Sequence, residues 1–336
     1  MHCITWLAKR ALCNTVAAFA LGTIAIGGAN AADAPYPARP VKIVVPLPAG
    51  GPADAIVRTV ADQLSVRLGQ PFVTEFKGGA AGIIGTDAVA KALPDGYTLL
   101  AATSDMLVNN TAAFKSLPYD PRRDFGFITQ IGSIPLVFAV NSGVPANNLR
   151  EFAAYAKGRH GQLSYGSWGY GINAHIAGET LLNRKLQLGG AHVPYRGLAP
   201  LTQDLVGQQI TASFGVAPAF AQFVGDKRLK VLGVTGASRI MAFPEVPTFA
   251  EQGFNDDIFK LRMWMALLAP AGTPQRIVER LHREVVQIVS GEEFKALLGN
   301  AGLELVANTP EQARENLLRE LELVPQLMRD IGLEAQ

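Results

Sequence analysis

Val45-Pro46-Leu47-Pro48-Ala49-Gly50-Gly51-Pro52-Ala53-Asp54 joins an apolar run, Val41-Lys42-Ile43-Val44-Val45, to a helical pattern with Ile56, Val57, Val60, Leu64 and Leu68 on one face. Pro52 suits a first helical turn, where its missing N–H is no loss. Gly69 can end that helix. The stretch reads as a strand-to-helix turn whose glycines let the backbone approach a ligand closely. Free N–H groups at a helix start make a site for an anion. An ordinary βα turn, with glycines for geometry alone, explains the stretch about as well.

Working outward, the pattern repeats. Phe72-Val73-Thr74-Glu75-Phe76 reads as a second strand, followed by the glycine turn Lys77-Gly78-Gly79-Ala80-Ala81-Gly82 and a helix reaching about Leu93. Asp87 and Lys91 stand four apart, in a favourable order for a helix surface. Pro94-Asp95-Gly96 turns the chain into a third strand, Tyr97-Thr98-Leu99-Leu100-Ala101-Ala102. Strand–helix–strand alternation implies a parallel, doubly wound sheet. Ser104 falls just past the third strand, where such sheets bind ligands.

A second alternation begins after the apolar run Ile134 to Val140, which reads as a crossing into another domain. A helix is expected over about Leu149 to Lys157 and a strand at Gln162-Leu163-Ser164-Tyr165. The turn Gly166-Ser167-Trp168-Gly169-Tyr170-Gly171 then opens a helix from about Asn173 to Asn183. Further strands are expected at His192–Tyr195, Ile210–Phe214 and Lys230–Val234. Met263 to Ala269 reads as the return crossing. Thr273-Pro274 starts a helix with Ile277, Leu281, Val285 and Ile288 on one face. Thr309-Pro310-Glu311-Gln312 fits a capping box, ahead of Ala313, Leu317, Leu321 and Val324. The turns at 48–54 and 166–175 are alike: each follows a strand, is rich in glycine and opens a helix. On two domains they would face one another across a cleft.

Residues 1–31 read as a secretory leader. Lys9 and Arg10 precede an apolar stretch from Ala11 to Gly28, and Ala29-Asn30-Ala31 is a cleavage site. A membrane anchor needs about 20 apolar residues, for which a stretch holding Asn14 and several glycines is marginal. Cys13, after Arg10-Ala11-Leu12, makes a poor lipoprotein signal. Both cysteines, Cys3 and Cys13, lie in the leader, so the mature chain has no disulfide or thiolate chemistry. Losing Lys9 and Arg10 takes the formal charge from +2 to zero. A neutral chain argues against a nucleic-acid partner, whose phosphates need a basic face.

Catalytic patterns are sparse. Tyr165 stands where a G-x-S-x-G motif around Ser167 needs glycine. No P-loop lysine is present, and no G-x-G-x-x-G opens a helix after the first strand. His160, His175, His192 and His282 show no metal-ligand spacing, and no metal or cofactor is expected. Ser167, His175 and Asp204 can be drawn as a triad only by selection; His175 is expected to cap or pack beside the second turn. Arg196 either reaches an anion or, as favoured, holds its loop through a carboxylate such as Asp204. Trp168 and Tyr170, large for a glycine turn, either line the cleft or cover the turn from solvent.

Taken in order, these motifs resemble the extracytoplasmic receptors of tripartite tricarboxylate transporters, the Bug receptors. The likeness runs through Tyr36-Pro37-Ala38-Arg39-Pro40, Val45–Gly51 and Pro94–Leu100. It continues with Leu117-Pro118-Tyr119-Asp120-Pro121, Asp124-Phe125, His192–Gly197, Pro247-Thr248 and Ala269–Pro274. It implies an α/β, two-domain periplasmic binding protein of the type II kind, each domain a doubly wound sheet, with residues 36–138 and 266–336 in one domain and 139–265 in the other. A small organic carboxylate would be held between them, chiefly by loop amides and bridging waters. The residues carried over are Pro48, Ala49, Gly50, Gly51, Asp54 and Ser104 on one side. Ser167, Trp168, Gly169, Tyr170, Gly171, Asn173 and His175 stand on the other. Lys77-Gly78-Gly79 departs from the family's usual Arg-Pro-Gly, and Trp168 and Tyr170 replace small or polar residues.

The expected function is that of a monomeric periplasmic receptor, without catalysis, that closes on its ligand and presents it to permease subunits. The rival readings are a secreted α/β enzyme using Ser167 or His175, and a receptor for a sensor kinase. An enzyme needs an activated nucleophile and an oriented base; a receptor needs only cleft amides. The cleavage site sets a first expectation: intact-mass analysis of a periplasmic extract shows a chain beginning at Ala32 or within a few residues of it, and a retained or acylated N-terminus contradicts it.

Overall fold

The computed structural model describes residues 36–50 and 52–336; the leader and Gly51 lie outside the described residues. Residues 37–336 form one compact unit built on two sheets. In the first, β1 (Val41–Val45) lies between β2 (Phe72–Phe76) and β3 (Thr98–Thr103), parallel to both. The apolar run before the first turn is buried at Val41, Ile43, Val44 and Val45, as a strand in a parallel sheet requires. Helix α1 (Pro52–Leu68) buries Ile56, Val57, Val60 and Leu64. It ends at Gly69, whose φ of +69° is the left-handed turn a helix stop uses. Helix α2 (Ile83–Ala90) joins β2 to β3, and the short α3 (Asn110–Ala113) continues a π-helical segment, Asp105–Asn109, that follows β3 directly.

The first crossing is sharper than its apolar run suggests. β4 (Phe125–Ile134) belongs to the first sheet and β5 (Val137–Asn141) to the second, so residues 135 and 136 alone carry the chain across. The second sheet then grows through α4 (Leu149–Lys157), β6 (Ser164–Ser167), α5 (Asn173–Gly178), β7 (Ala191–Pro194), α6 (Leu198–Val206), β8 (Ala212–Gly215), α7 (Ala217–Gly225) and β9 (Leu229–Val234). Its strand order is β7-β6-β8-β5-β9, with β6 parallel to β7 and β8. β5 runs antiparallel to β8 and β9, because it arrives from the other sheet instead of through a βα unit. Leu136 N–H donates to the Thr235 hydroxyl and Thr235 N–H to the Leu136 carbonyl, each at 2.8 Å. The chain that has just crossed is therefore tied to the end of β9.

The return crossing is itself a strand. β10 (Met263–Pro270) pairs antiparallel with both β3 and β4, and β11 (Glu304–Leu305) adds an edge beyond β4, giving the order β11-β4-β10-β3-β1-β2. The first sheet is thus mixed: parallel where strands alternate with helices, antiparallel where the crossing strands run. Helices α8 (Gln275–Val289), α9 (Glu292–Asn300) and α10 (Pro310–Asp330) complete it, α8 and α10 packing on β4. The expected apolar faces are buried: Ile277, Leu281, Val285 and Ile288 on α8; Ala313, Leu317, Leu321 and Val324 on α10.

The capping box at Thr309 is formed in both directions. Gln312 N–H donates to the Thr309 hydroxyl at 3.3 Å, and Thr309 N–H donates to the Gln312 side-chain oxygen at 3.1 Å. Replacing an N-cap threonine leaves a helix-start N–H unsatisfied. Thr309→Ala is therefore expected to lower unfolding stability by about 1 kcal/mol, read from denaturant midpoints at unchanged m-value.

Candidate functional site

A cavity of about 480 Å³ lies between the two sheets. One wall comes from the C-terminal ends of the three parallel strands: Pro46, Leu47 and Pro48 after β1, Gly79, Ala81 and Gly82 after β2, and Thr103, Asp105 and Met106 after β3. Asn110, Ala113 and Phe114 extend it. The opposite wall is the turn after β6, with Trp168, Gly169, Tyr170 and Ile172. This is where open α/β sheets present ligand-binding loops. A smaller cavity of about 250 Å³, lined in part by Gly126, Thr273 and Arg314, draws on the first sheet's elements alone.

The first turn is held by its own acid. Gly50, at φ +92°, donates its N–H to Asp54 Oδ2 at 2.8 Å, and Asp54 Oδ1 pairs with Arg58. The Gly50 hydrogen bond, then Arg58, keeps the Asp54 carboxyl below its ordinary range. Asp54 is thereby committed to shaping the turn, and neither it nor Ala49 is among the cavity-lining residues, whereas Pro48 is. Gly51 lies outside the described residues. Ser104 is fully buried, and its hydroxyl accepts the Trp264 N–H at 3.4 Å. The residues on either side of it, Thr103 and Asp105, face the cavity instead.

The second turn rests on a stack of two imidazoles. His175 and His192 lie 3.6 Å apart with planes 12° from parallel. Gly171 N–H donates to His175 Nδ1 at 3.1 Å. Ser167 Oγ lies 2.7 Å from His192 Nε2 and 2.7 Å from the Gly169 carbonyl oxygen. A hydroxyl has one proton, so all three atoms are satisfied only when His192 donates to Ser167 and Ser167 donates to Gly169. Burial drives both imidazoles down to about 4, with the neighbouring ring adding to the effect at His192. The drawn triad does not form: Ser167 meets His192, not His175, and Asp204 accepts the Tyr195 hydroxyl at 2.8 Å. That bond, in place of one from Arg196, fastens the loop to Asp204; Arg196 is exposed.

Trp168 and Tyr170 are half-buried on the cavity wall, and the Tyr170 hydroxyl donates to the Glu334 carbonyl at 3.0 Å. The N–H groups of Gly169 and Tyr170 donate to no acceptor among the described residues. Gly171, at φ +70°, brings its backbone against the first wall: a Cβ there would stand 2.8 Å from the Ala113 Cβ.

Two residues at or behind the cavity walls escape the sequence reading. Asn109 is buried, and its Nδ2 donates to both the Gly171 carbonyl and Asn173 Oδ1, each at 2.9 Å, joining one wall to the other. Asp105 is an acid on the cavity wall. Each follows the third strand amid Met106-Leu107-Val108, and polar residues set in so apolar a stretch were the available signal. Behind Asp105, Glu320 accepts the Trp264 indole N–H at 2.9 Å. Burial pushes Glu320 up to about 7, and Asp105 repels its charge. Among the described residues no group of three His, Cys, Asp or Glu could hold a metal ion, and no helix is long and apolar enough to cross a membrane.

A ligand-sized cavity between two α/β sheets, walled by βα turns from both, defines a solute-binding protein of the periplasmic type. Residues 56–333 match the family described as tripartite tricarboxylate transporter family receptor, and the chain belongs to that family. BugT of Bordetella pertussis is 32% identical over 315 residues, 93% of this chain and 95% of its own. The structure of the periplasmic binding protein BugD superposes with a TM-score of 0.76 at 31% identity, over 90% of this chain and 100% of that one. An R. palustris protein solved with adipate gives 0.80 at 28% identity, over 90% and 100%. MatC from Rhodopseudomonas palustris, solved with bound malate, gives 0.74 at 27%, over 87% and 99%.

The imidazole pair has a consequence for acid stability. An unfolded chain protonates both histidines near pH 6.5, whereas the folded chain resists to about 4. The unfolded state thus binds more protons in between, and stability present above pH 6.5 is lost as the pH falls towards 4. His192→Gln keeps a hydrogen-bonding group and removes one titration. Denaturant midpoints measured from pH 7 to pH 4 are expected to fall less steeply for this variant than for the wild type.

Proposed function

We propose that the protein is a periplasmic receptor that captures a small organic carboxylate between its two sheets and delivers it to the permease subunits of a tripartite tricarboxylate transporter. The observation that carries this reading is the cavity whose walls come from both sheets. A ligand there touches both halves at once, which favours the closed arrangement over an open one. The neighbours solved with adipate and malate give the ligand class.

The binding residues we assign are Pro48, Ala49, Gly50, Gly51, Asp54 and Ser104 for the first side, with Asp54 and Ser104 acting through the shape of the turn. Ser167, Trp168, Gly169, Tyr170, Gly171, Asn173 and His175 serve the second. The unengaged N–H groups of Gly169 and Tyr170 suit a carboxylate, since charge-assisted bonds from backbone amides are strong without an arginine. Trp168 and Tyr170 offer a flat apolar wall against the rest of the ligand.

Catalysis is not part of this reading. A serine nucleophile needs an imidazole that accepts its proton, and the satisfied arrangement at Ser167 has His192 donating. In this reading residues 36–138 with 266–336, and 139–265, are the two moving bodies, hinged near Ile134–Val140 and Met263–Ala269. A monomer exported to the periplasm, with the leader removed, suffices for the task.

A thermal-shift screen over organic acids tests the reading. An acid that binds the folded protein alone at a hundredfold excess over Kd stabilises it by about 2.7 kcal/mol. The same acid is expected to lower the radius of gyration in small-angle scattering; an unchanged radius at saturation counts against closure. Gly171→Ala, which sets a Cβ against Ala113, is expected to weaken binding at least tenfold and to reduce that contraction.

A further inference from the structure

Asp105 stands out within the cavity. It is the one acidic or basic side chain among the described lining residues. Its Oδ1 is buried and accepts no hydrogen bond, and no lysine, arginine or histidine pairs with it among the described residues. The cavity it lines also holds Thr103, Met106, Asn110 and Gln336 among mostly apolar residues. The neighbouring carboxyl, Glu320, accepts from the Trp264 indole and is itself raised in part by the Asp105 charge. Burial pushes the Asp105 carboxyl up to about 7. A buried acceptor without a donor is costly to leave so, and binding sites are where such groups find partners.

We propose that Asp105 selects the ligand: the acid bound here carries its carboxylate at one end and an N–H donor, an ammonium or amide, at the end that meets Asp105. This rests on the receptor reading and narrows it. Amides of the Gly169–Tyr170 turn take the carboxylate across the cavity, and the N–H donor completes Asp105. A second carboxylate in the same place would set two like charges together in a poorly hydrated site with no cation between them. A methyl group would leave Oδ1 as it is. Sites built to hydrogen-bond a donor discriminate strongly against analogues that lack it, because the buried partner is then left unsatisfied.

Calorimetry at pH 8, where Asp105 is ionised, tests this with matched skeletons of four to six carbons. At each length the ω-amino acid and the monoamide of the dicarboxylic acid are compared with the dicarboxylate and the plain fatty acid. The wild type is expected to bind at least one donor-bearing acid tenfold or more tighter than the dicarboxylate of equal length. Asp105→Asn is expected to lose most of that preference, with its fold checked by thermal unfolding. The wild-type series stands alone as a test should the variant not fold. Binding of dicarboxylates as tightly as of donor-bearing acids overturns the assignment and leaves the receptor reading intact. A preference that persists in Asp105→Asn overturns it as well. Failure of every acid at every length overturns the receptor reading and this inference together.

Discussion

The side-chain amide of Asn109 is the constraint on which the cavity depends. It leaves the π-helical segment after β3 and donates two hydrogen bonds to the turn after β6, at the Gly171 carbonyl and Asn173 Oδ1. Both partners are main-chain or side-chain atoms at the start of α5, so the clamp fixes where that helix begins relative to the first sheet. Its own Oδ1 is buried without a partner. A buried amide half-satisfied in this way is held by its surroundings, not by its own bonding. Separating the walls would let water reach it, so opening relieves the cost that the unpaired oxygen carries when the walls are together. That balance suits the closure proposed above.

Around the clamp, charge has been moved away from the cavity. Asp54 is engaged by Gly50 and Arg58, Glu179 by the Tyr165 hydroxyl and Asn183, and Asp204 by Tyr195. The two histidines that brace the second turn stay neutral at ordinary pH because they are buried against each other. What lines the cavity is backbone, aromatic and apolar surface and a single acidic side chain, that of Asp105. The recognition by amides proposed above would fix direction and distance closely, since donors in turns cannot rotate as side chains do.

Much of this was legible. Period-3.6 patterns located α1, α4, α8 and α10, because each buries one face and its residues say so, while β1 and β2 showed as short apolar and β-branched runs bounded by turn residues. The capping box at Thr309 and the stop at Gly69 were readable as local chemistry. The likeness of the two glycine turns pointed to the cavity's walls, and Trp168 and Tyr170 do line it. Other features depend on partners far away in sequence. β10 looked like a passage between domains because an apolar strand buried on both faces has no period to show. The pairing of Ser167 with His192 spans 25 residues, and that of Asn109 with Asn173 spans 64; nothing in either segment names the other. Ser104 sat in the right place along the chain, yet its side chain turned towards Trp264, which one residue's shift in direction decides.

β10 also governs the order in which the molecule can assemble. In the strand order β11-β4-β10-β3-β1-β2 it stands between β4 and β3. Until residues 263–270 arrive, β1, β2 and β3 form a three-stranded fragment with an open edge, and β4 has no neighbour but the late β11. The second sheet, by contrast, is complete by β9 and lies within one unbroken stretch of chain. It can form while the first still waits, separated from closure by more than 120 residues between β4 and the strand that must pair with it. Such long-range pairing is slow, and an exposed edge during the delay invites association with other chains. A chain kept unfolded until its whole length has emerged would avoid that hazard.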